Sequence, residues 1–182
     1  EFSINALEVK NITKAYEPVA SAVVELNNIN KNTDNYTAED YNAATAAIKA
    51  TIEIARAEAK RPKVVNVTPE VPVRPLQNIT VSFTTKVAAK WGNITNIDLI
   101  DAEGNVAGTM KTEKAKVQAN TVMFTIDKSI DVMGTYTATI PAGCITNADE
   151  AEYALANDFT FNVEVAPETF AVTAELSPAV EG

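Results

Sequence analysis

The sequence contains no histidine and a single cysteine, Cys144, among its 182 residues. Without histidine the chain has no Ser-His-Asp or Cys-His catalytic set, no histidine-bearing zinc site and no imidazole base near neutral pH. One cysteine forms neither an intrachain disulfide nor a dithiol redox pair, and it is compatible with either redox compartment. We expect Cys144 to be a small buried hydrophobic residue.

Positive charge and long apolar runs are also scarce. The 15 Lys and Arg residues stand against 24 Asp and Glu residues, which gives a net charge of −9. Nucleic acids and anionic membranes need a basic surface, so neither is an expected partner. No apolar run is long enough to span a bilayer, so membrane insertion is not expected. The 46% of hydrophobic residues nevertheless supply a core for one medium domain or two small ones.

The sequence also lacks the common catalytic motifs. It has no G-x-G-x-x-G, no P-loop and no G-x-S-x-G, and its acidic residues show no spacing that singles out a catalytic pair. We therefore predict a protein that is not an enzyme, with no catalytic, cofactor-binding or metal-ligating residues and no cofactor. The pattern does not identify ligand-binding residues.

Helical periodicity marks the first sixty residues. An apolar stripe predicts a first helix that starts near Glu17 or kinks at Pro18, and the polar residues 27–35 predict a loop. Thr37 is a predicted N-cap, with Asp40 completing a capping box. The stripe of the first helix consists of Ile12, Tyr16, Val19, Val23 and Leu26, and that of the second of Tyr41, Ala44, Ile48, Ile52, Ala55 and Ala59.

The apolar period changes to two after Lys63, which is typical of half-buried strands. Residues 101–105 predict a hairpin turn with Gly104 at a positive φ. Short strands at regular intervals indicate an antiparallel sandwich. The alternating runs lie at residues 79–83, 122–126, 135–140 and 159–165. The predicted fold class is thus α+β for the chain: an α-helical hairpin followed by an all-β sandwich.

Five segments in order carry a family resemblance: VVNVTP (64–69), ITVSF (79–83), DAEGNV (101–106), GTYTATIPAG (134–143) and FTF (159–161). Together they resemble the bacterial Ig-like domains of the Big type over roughly residues 63–165. The resemblance implies an immunoglobulin-like antiparallel sandwich in which Tyr136 forms a tyrosine corner, its ring in the core and its hydroxyl bonded to backbone. It also implies a secreted or cell-surface protein.

Residues 35–41, NYTAEDY, and the alanine-rich stretch after them resemble the helical FIVAR modules of bacterial surface proteins. We predict a helical segment over residues 3–61, an Ig-like sandwich over 62–166, and a linker or the start of a following Ig-like repeat over 167–182. The last prediction rests on VTAELSP (172–178), which resembles residues 64–69. Because the chain opens on Glu1 rather than Met, we expect a piece of a longer precursor.

Two kinds of loop residue are candidates for ligand binding. Asp101, Glu103 and Asn105 alternate as calcium ligands do, but an EF-type loop needs a glycine and a later glutamate that are missing, so we expect an acidic hairpin tip, and likewise a plain loop at residues 147–152. Trp91, with Tyr153 and Tyr41, offers stacking surfaces for sugars. For Trp91 we expect packing over the sandwich edge.

The predicted function is a non-catalytic structural or adhesive module of a bacterial extracellular or cell-surface protein, a spacer or stalk that presents a binding surface. Its partners are the neighbouring domains of the same chain, together with surface glycans or proteins. The alternative is a carbohydrate- or protein-binding module that uses sandwich loops at residues 90–96 or 147–157.

Overall fold

The computed structural model describes residues 16–169. Ile12 of the first predicted stripe and the predicted strand at residues 172–178 lie outside the described residues. Within the described range, helices occupy the first part of the chain and antiparallel strands the second, so the predicted α+β architecture is confirmed.

Two helices form an antiparallel pair before the sandwich. Helix α1 spans Glu17–Lys31, a 3-10 turn follows at Thr33–Asn35, and helix α2 spans Ala38–Lys60. Pro18 lies in the first turn of α1, where its missing N–H costs no helical hydrogen bond. The Thr37 N–H donates to Asp40 Oδ2 at 2.7 Å, and the Asp40 N–H donates to Thr37 Oγ1 at 3.2 Å. The predicted capping box is therefore confirmed.

The predicted loop at residues 27–35 is wrong in its first half, because α1 continues to Lys31. Ile29 is buried although the residues around it are polar, and burial of its side chain stabilises the last turn against the weak helix propensity of asparagine. Asn32 ends the helix: its side-chain amide donates to the Asn28 carbonyl at 2.9 Å.

The helix pair has a small core in which Val19 of α1 meets Ile52 and Ala55 of α2. Tyr16, Val23 and Ile48 pack around these three residues. The ends of the predicted α2 stripe do not take part, since Tyr41 and Ala59 are exposed. Three buried side chains stabilise a helix pair only weakly. The orientation of α2 therefore depends on the contacts at its ends.

Ten strands follow in the described residues, and their bounds are β1 Val64–Thr68, β2 Leu76–Phe83, β3 Val87–Ala89, β4 Asn96–Ile100, β5 Val106–Lys111, β6 Lys116–Gln118, β7 Thr121–Ile130, β8 Gly134–Ile140, β9 Ile145–Asn147 and β10 Phe159–Val165, with a second 3-10 turn at Thr112–Lys114. The ladders between named strands are all antiparallel, in the order β1-β2-β7-β5-β4-β8-β10. Strand β6 pairs with β7, and β3 pairs with β9.

Strand β7 joins the two layers of the sandwich. Its first half pairs with β2, where Phe124 lies opposite Ile79, and farther along Ile126 lies opposite Met110 of β5 before Ile130 returns to Leu76 of β2. One ten-residue strand thus serves both sheets, which is how a sandwich closes a core between two layers.

The core confirms the period-two pattern. The side chains predicted to face inward on β2, β7, β8 and β10 are buried, apart from the half-buried Phe159, and the threonines between them are exposed or half-buried. The largest fully buried side chains of the sandwich are Phe83, Phe124, Leu76, Ile79, Leu99, Met110, Ile140 and Ile145.

The chain enters and leaves the sandwich at opposite ends. Strand β10 starts at Phe159 beside Ile140 and finishes at Val165 beside Gly134, so it spans about 20 Å at roughly 3.3 Å per residue. The exit is held by the connection between β1 and β2: the Ala166 N–H donates to the Val73 carbonyl at 3.0 Å. We call these the entry end, where α2 joins, and the exit end.

Gly108 offers a test of this packing. A Cβ at Gly108 would lie 2.9 Å from Ile126 Cγ2 and 3.1 Å from Ile130 Cδ1. We expect Gly108→Ala to lower the free energy of unfolding by about 1–3 kcal/mol, because β-branched neighbours relieve overpacking poorly. Urea unfolding measures the change.

The matched control is Gly134→Ala, whose Cβ would meet nothing nearer than 3.7 Å at a backbone conformation open to alanine. Equal stability of the two variants would show that Ile126 and Ile130 leave room for a methyl group at Gly108.

Candidate functional site

The last turn of α2 meets the loop after β9, and this contact is the best-built polar site of the described residues. The side-chain amide of Asn147 donates to the Lys60 carbonyl at 2.8 Å. The last carbonyls of a helix have no intrahelical partner, so a side-chain donor at this position both satisfies the helix end and fixes its place. We call the helix end and residues 147–154 the junction.

Asn147 is held rigidly enough to act in this way. It is 8% exposed, and its side-chain oxygen accepts the backbone N–H groups of Asp149 at 2.9 Å and Glu150 at 3.3 Å. Its own N–H donates to the Tyr153 carbonyl at 2.8 Å. The loop therefore folds around one amide, which is typical of asparagine in tight turns.

Two basic side chains of the helix end contact the same loop. Arg61 donates from Nη1 to the Ala154 carbonyl at 3.2 Å and from Nε to Glu58 at 2.8 Å. The Lys60 ammonium donates to Glu150 at 2.7 Å and lies 5.1 Å from the Tyr153 ring centroid. The hydrogen bond to Glu150 raises the pKa of Lys60. Because both side chains of this ion pair are about 40% exposed (42% and 39%), solvent screens it and it adds little stability.

The connection from α2 to β1 is short and tied to the sheet. Pro62 is buried, the Lys63 N–H donates to Thr84 Oγ1 at 3.1 Å, and the Thr84 N–H donates to the Lys63 carbonyl at 2.9 Å. The helix end is thus held on one side by β2 and on the other by the loop after β9.

Asp101 is committed to the hairpin at the exit end. Its Oδ1 accepts the backbone N–H groups of Asn105 at 2.8 Å and Glu103 at 3.0 Å, and Gly104 has φ +86° as predicted. The hydrogen bond from the Asn105 N–H is the main cause that lowers the pKa of Asp101. The Asp101 carboxylate therefore stabilises the turn of the expected acidic hairpin tip. The described residues contain no group of three or more acidic or sulfur ligands that can hold a metal ion.

Trp91 packs as expected and also borders a cleft. Its ring lies edge-on to Phe124 with centroids 5.7 Å apart, so the predicted packing over the sandwich edge is confirmed. On its open side is a cleft of about 380 Å³ lined by Trp91, Gly92, Ile94, Thr95, Asn96, Lys111, Thr112 and Glu113.

Tyr136 and Cys144 occupy the places predicted for them. The Tyr136 ring is buried and its hydroxyl donates to the Val132 carbonyl at 2.7 Å, which is the expected tyrosine corner. Cys144 is buried, and its burial raises the pKa of its thiol. Of the other two candidate stacking residues, Tyr153 lies in the junction and Tyr41 is exposed on α2. Neither helix of the described part of the chain has the length and hydropathy needed to cross a bilayer.

A profile of the family described as "Bacterial Ig-like domain" matches residues 58–163. The match begins in the last turn of α2 and extends almost to the end of β10. Among curated protein sequences, none matches the chain.

Three solved structures of a bacterial surface-layer protein are similar to the chain at 16% sequence identity. The N-terminal part of the S-layer protein SbsC has a TM-score of 0.43, with 87% of this chain and 37% of that chain covered. The S-layer protein rSbsC(31-844) has 0.41, and domains 1-6 of the surface layer protein SbsC have 0.45, each covering 90% of this chain and 22% of that chain. The chain thus spans between about a fifth and somewhat more than a third of these solved chains.

The hairpin of Asp101 predicts a pH dependence. Since its folded pKa lies below the ordinary value of 3.8, the carboxylate contributes stability that is fully present above that pH and is lost as the pH falls through the folded pKa. We expect Asp101→Asn to lose less stability on acidification than the parent chain, as measured by thermal melting from pH 5 downwards.

Glu103→Gln is the control for this prediction, because it removes one charge from the same hairpin without removing an acceptor of the turn. If both variants changed the loss of thermal stability below pH 5 by the same amount, net charge rather than the turn would cause the pH dependence.

Proposed function

The chain belongs to the bacterial Ig-like domain family, and from this premise we propose that it is a non-catalytic structural module of an extracellular or cell-surface bacterial protein. In this role it holds neighbouring parts of a longer chain at a fixed distance and angle. The observation that carries the proposal is the junction, in which Asn147 bonds the helix end to the sandwich.

A spacer needs two attachment points that lie apart and a rigid connection at each of them. The helices join at the entry end and the chain leaves at the exit end, about one strand length away. At the exit, Arg74 forms an ion pair with Glu168 at 3.4 Å, and the Val73 N–H donates to the Glu164 carbonyl at 3.2 Å. The direction of the chain is therefore held at both ends by backbone bonds, which resist extension better than exposed side-chain pairs.

We draw the proposed domain boundaries at the entry end and the exit end of the sandwich. We propose a helical unit over residues 3–61, the sandwich over 62–166, and a connecting segment or the start of a following Ig-like repeat over 167–182. The neighbouring domains of the same chain are the partners that this arrangement serves.

Adhesion is the second proposed role, and the junction limits which of the two predicted binding loops is accessible to a ligand. Residues 147–154 are engaged with α2 through Asn147, Glu150 and Ala154, so this part of the second predicted binding loop is not free for a ligand. The cleft beside Trp91 lies on the other predicted loop and is open.

Electron–electron distance measurements test the spacer role. Spin labels at Ala46→Cys on α2 and Glu103→Cys at the exit end, with Cys144→Ala in every protein, report how narrowly the distance between the helix and the sandwich is fixed. We expect one narrow distance distribution, and we expect Asn147→Ala to broaden it and to cost about 1–3 kcal/mol, because a carbonyl and two N–H groups lose their partner.

The matched control is Asn162→Ala, which removes a cross-strand hydrogen bond from Thr137 on the exposed sheet face, away from the junction. It should leave the distribution narrow. A broad distribution in the parent protein, or no broadening with Asn147→Ala, would contradict a fixed orientation.

A further inference from the structure

The cleft beside Trp91 has a preformed aromatic wall. The turn that carries the residue is closed by the Ile94 N–H, which donates to the Trp91 carbonyl at 2.9 Å, with Gly92 at φ +57°. The edge contact with the buried Phe124 fixes the indole from the core side. The ring therefore does not have to be ordered when a ligand binds, which removes one entropic cost of binding.

The opposite wall is held by Thr112. This residue is buried, its N–H donates to the Thr95 carbonyl at 3.0 Å, and its hydroxyl donates to the Ile94 carbonyl at 2.6 Å. These bonds join the loop of Trp91 to the 3-10 turn at Thr112–Lys114. The cleft is consequently a built feature with two cross-linked walls, and its volume of about 380 Å³ suits a small ligand.

Three polar side chains line the cleft without forming a hydrogen bond or an ion pair in the described part of the chain, and the charge of one of them, Lys111, also acts on the Asp127 carboxylate. Asn96 and Lys111 lie opposite each other on β4 and β5, and Glu113 follows on the 3-10 turn. Within residues 16–169 none of the three side chains makes a hydrogen bond or ion pair. In other loops polar side chains form hydrogen bonds within the protein, as Asp101 and Asn147 do. These three side chains supply hydrogen-bond donors and acceptors on one rim of the cleft.

We propose that this cleft binds one sugar ring of a glycan, with Trp91 as the stacking surface and Asn96, Lys111 and Glu113 as the hydrogen-bonding groups. A sugar ring presents C–H groups on its face and hydroxyls at its edge, which matches an indole next to mixed donors and acceptors. One cation and one anion leave the rim without net charge, which favours a neutral sugar. This inference rests on the proposed adhesive role and names its ligand class, whereas the spacer role does not depend on it.

A protein partner fits the cleft less well. Stable protein interfaces bury roughly 800 Å² on each side around aromatic anchors that enter pockets, whereas here the aromatic residue belongs to the wall of a small open cleft. The ligand class that fits both the size and the chemistry is a saccharide.

The sole tryptophan of the chain makes the test direct, because intrinsic indole fluorescence reports this cleft alone. The probes are N-acetylglucosamine, chitobiose, maltose and lactose, titrated into the full chain. We expect a saturable change in emission with at least one of them, with an affinity of roughly millimolar for a single ring. Saturation-transfer NMR on the same sugar gives a second readout that does not depend on emission.

Glu113→Gln, which replaces a charged acceptor with a neutral amide, and Lys111→Met, which removes the ammonium donors, should each weaken binding by about fivefold or more. The matched controls are Glu103→Gln at the exit end and Lys114→Met on the same 3-10 turn, neither of which lines the cleft; both should bind like the parent. These exposed substitutions leave the packing of Trp91 intact.

Three outcomes would overturn the proposal. The first is no saturable signal by either readout with any sugar. The second is equal weakening by the control variants. The third is a change in tryptophan emission with an unfolded polypeptide, such as reduced casein, and no change with any sugar. A failure here leaves the distance distribution between α2 and the sandwich unaffected, so it is distinguishable from a failure of the spacer role.

Discussion

Each strand of the sandwich must bury alternate side chains in one core, and the other features of the molecule follow from that constraint. A slip of one residue would turn Phe124 and Ile126 of β7 to water and threonines to the core, so the registers are strongly fixed. Fixed registers place β9 beside β3 at the entry end. The loop after β9 thereby meets the last turn of α2, and the junction forms where the core geometry puts it.

The junction converts a weakly packed helix pair into an oriented extension of the sandwich. The helices share a core of only Val19, Ile52 and Ala55, yet the end of α2 is held by a buried amide, by an arginine on a backbone carbonyl and by two hydrogen bonds from Lys63 and Thr84. The strength of the arrangement lies in partly buried bonds to backbone rather than in the exposed Lys60–Glu150 pair. Bonds of this kind hold the helix pair in one direction relative to the sandwich, as a spacer requires.

The sequence predicted the features that local chemistry decides. The alternation in the strands, the Thr37 capping box, the hairpin at Gly104 and the burial of Tyr136 each depend on residues close in the chain or on one periodic pattern. The extent of α1 beyond residue 27 was wrong because burial of Ile29 overrides composition. The role of Asn147 was not predictable, since its partner Lys60 lies 87 residues away and an asparagine in a polar run is typical of any loop. The cleft beside Trp91 depends on the buried Thr112, which bonds to the Thr95 and Ile94 carbonyls 17 and 18 residues away, and no local pattern predicts those contacts.

The central claim is that α2 and the sandwich move as one body. Residual dipolar couplings of backbone amides, measured on the full chain in a dilute aligned medium, test it most directly. If the claim holds, one alignment tensor fits the amides of α2 and those of the β-strands together. Two tensors of clearly different magnitude or direction would show that the helix reorients freely, and the junction would then not set an angle.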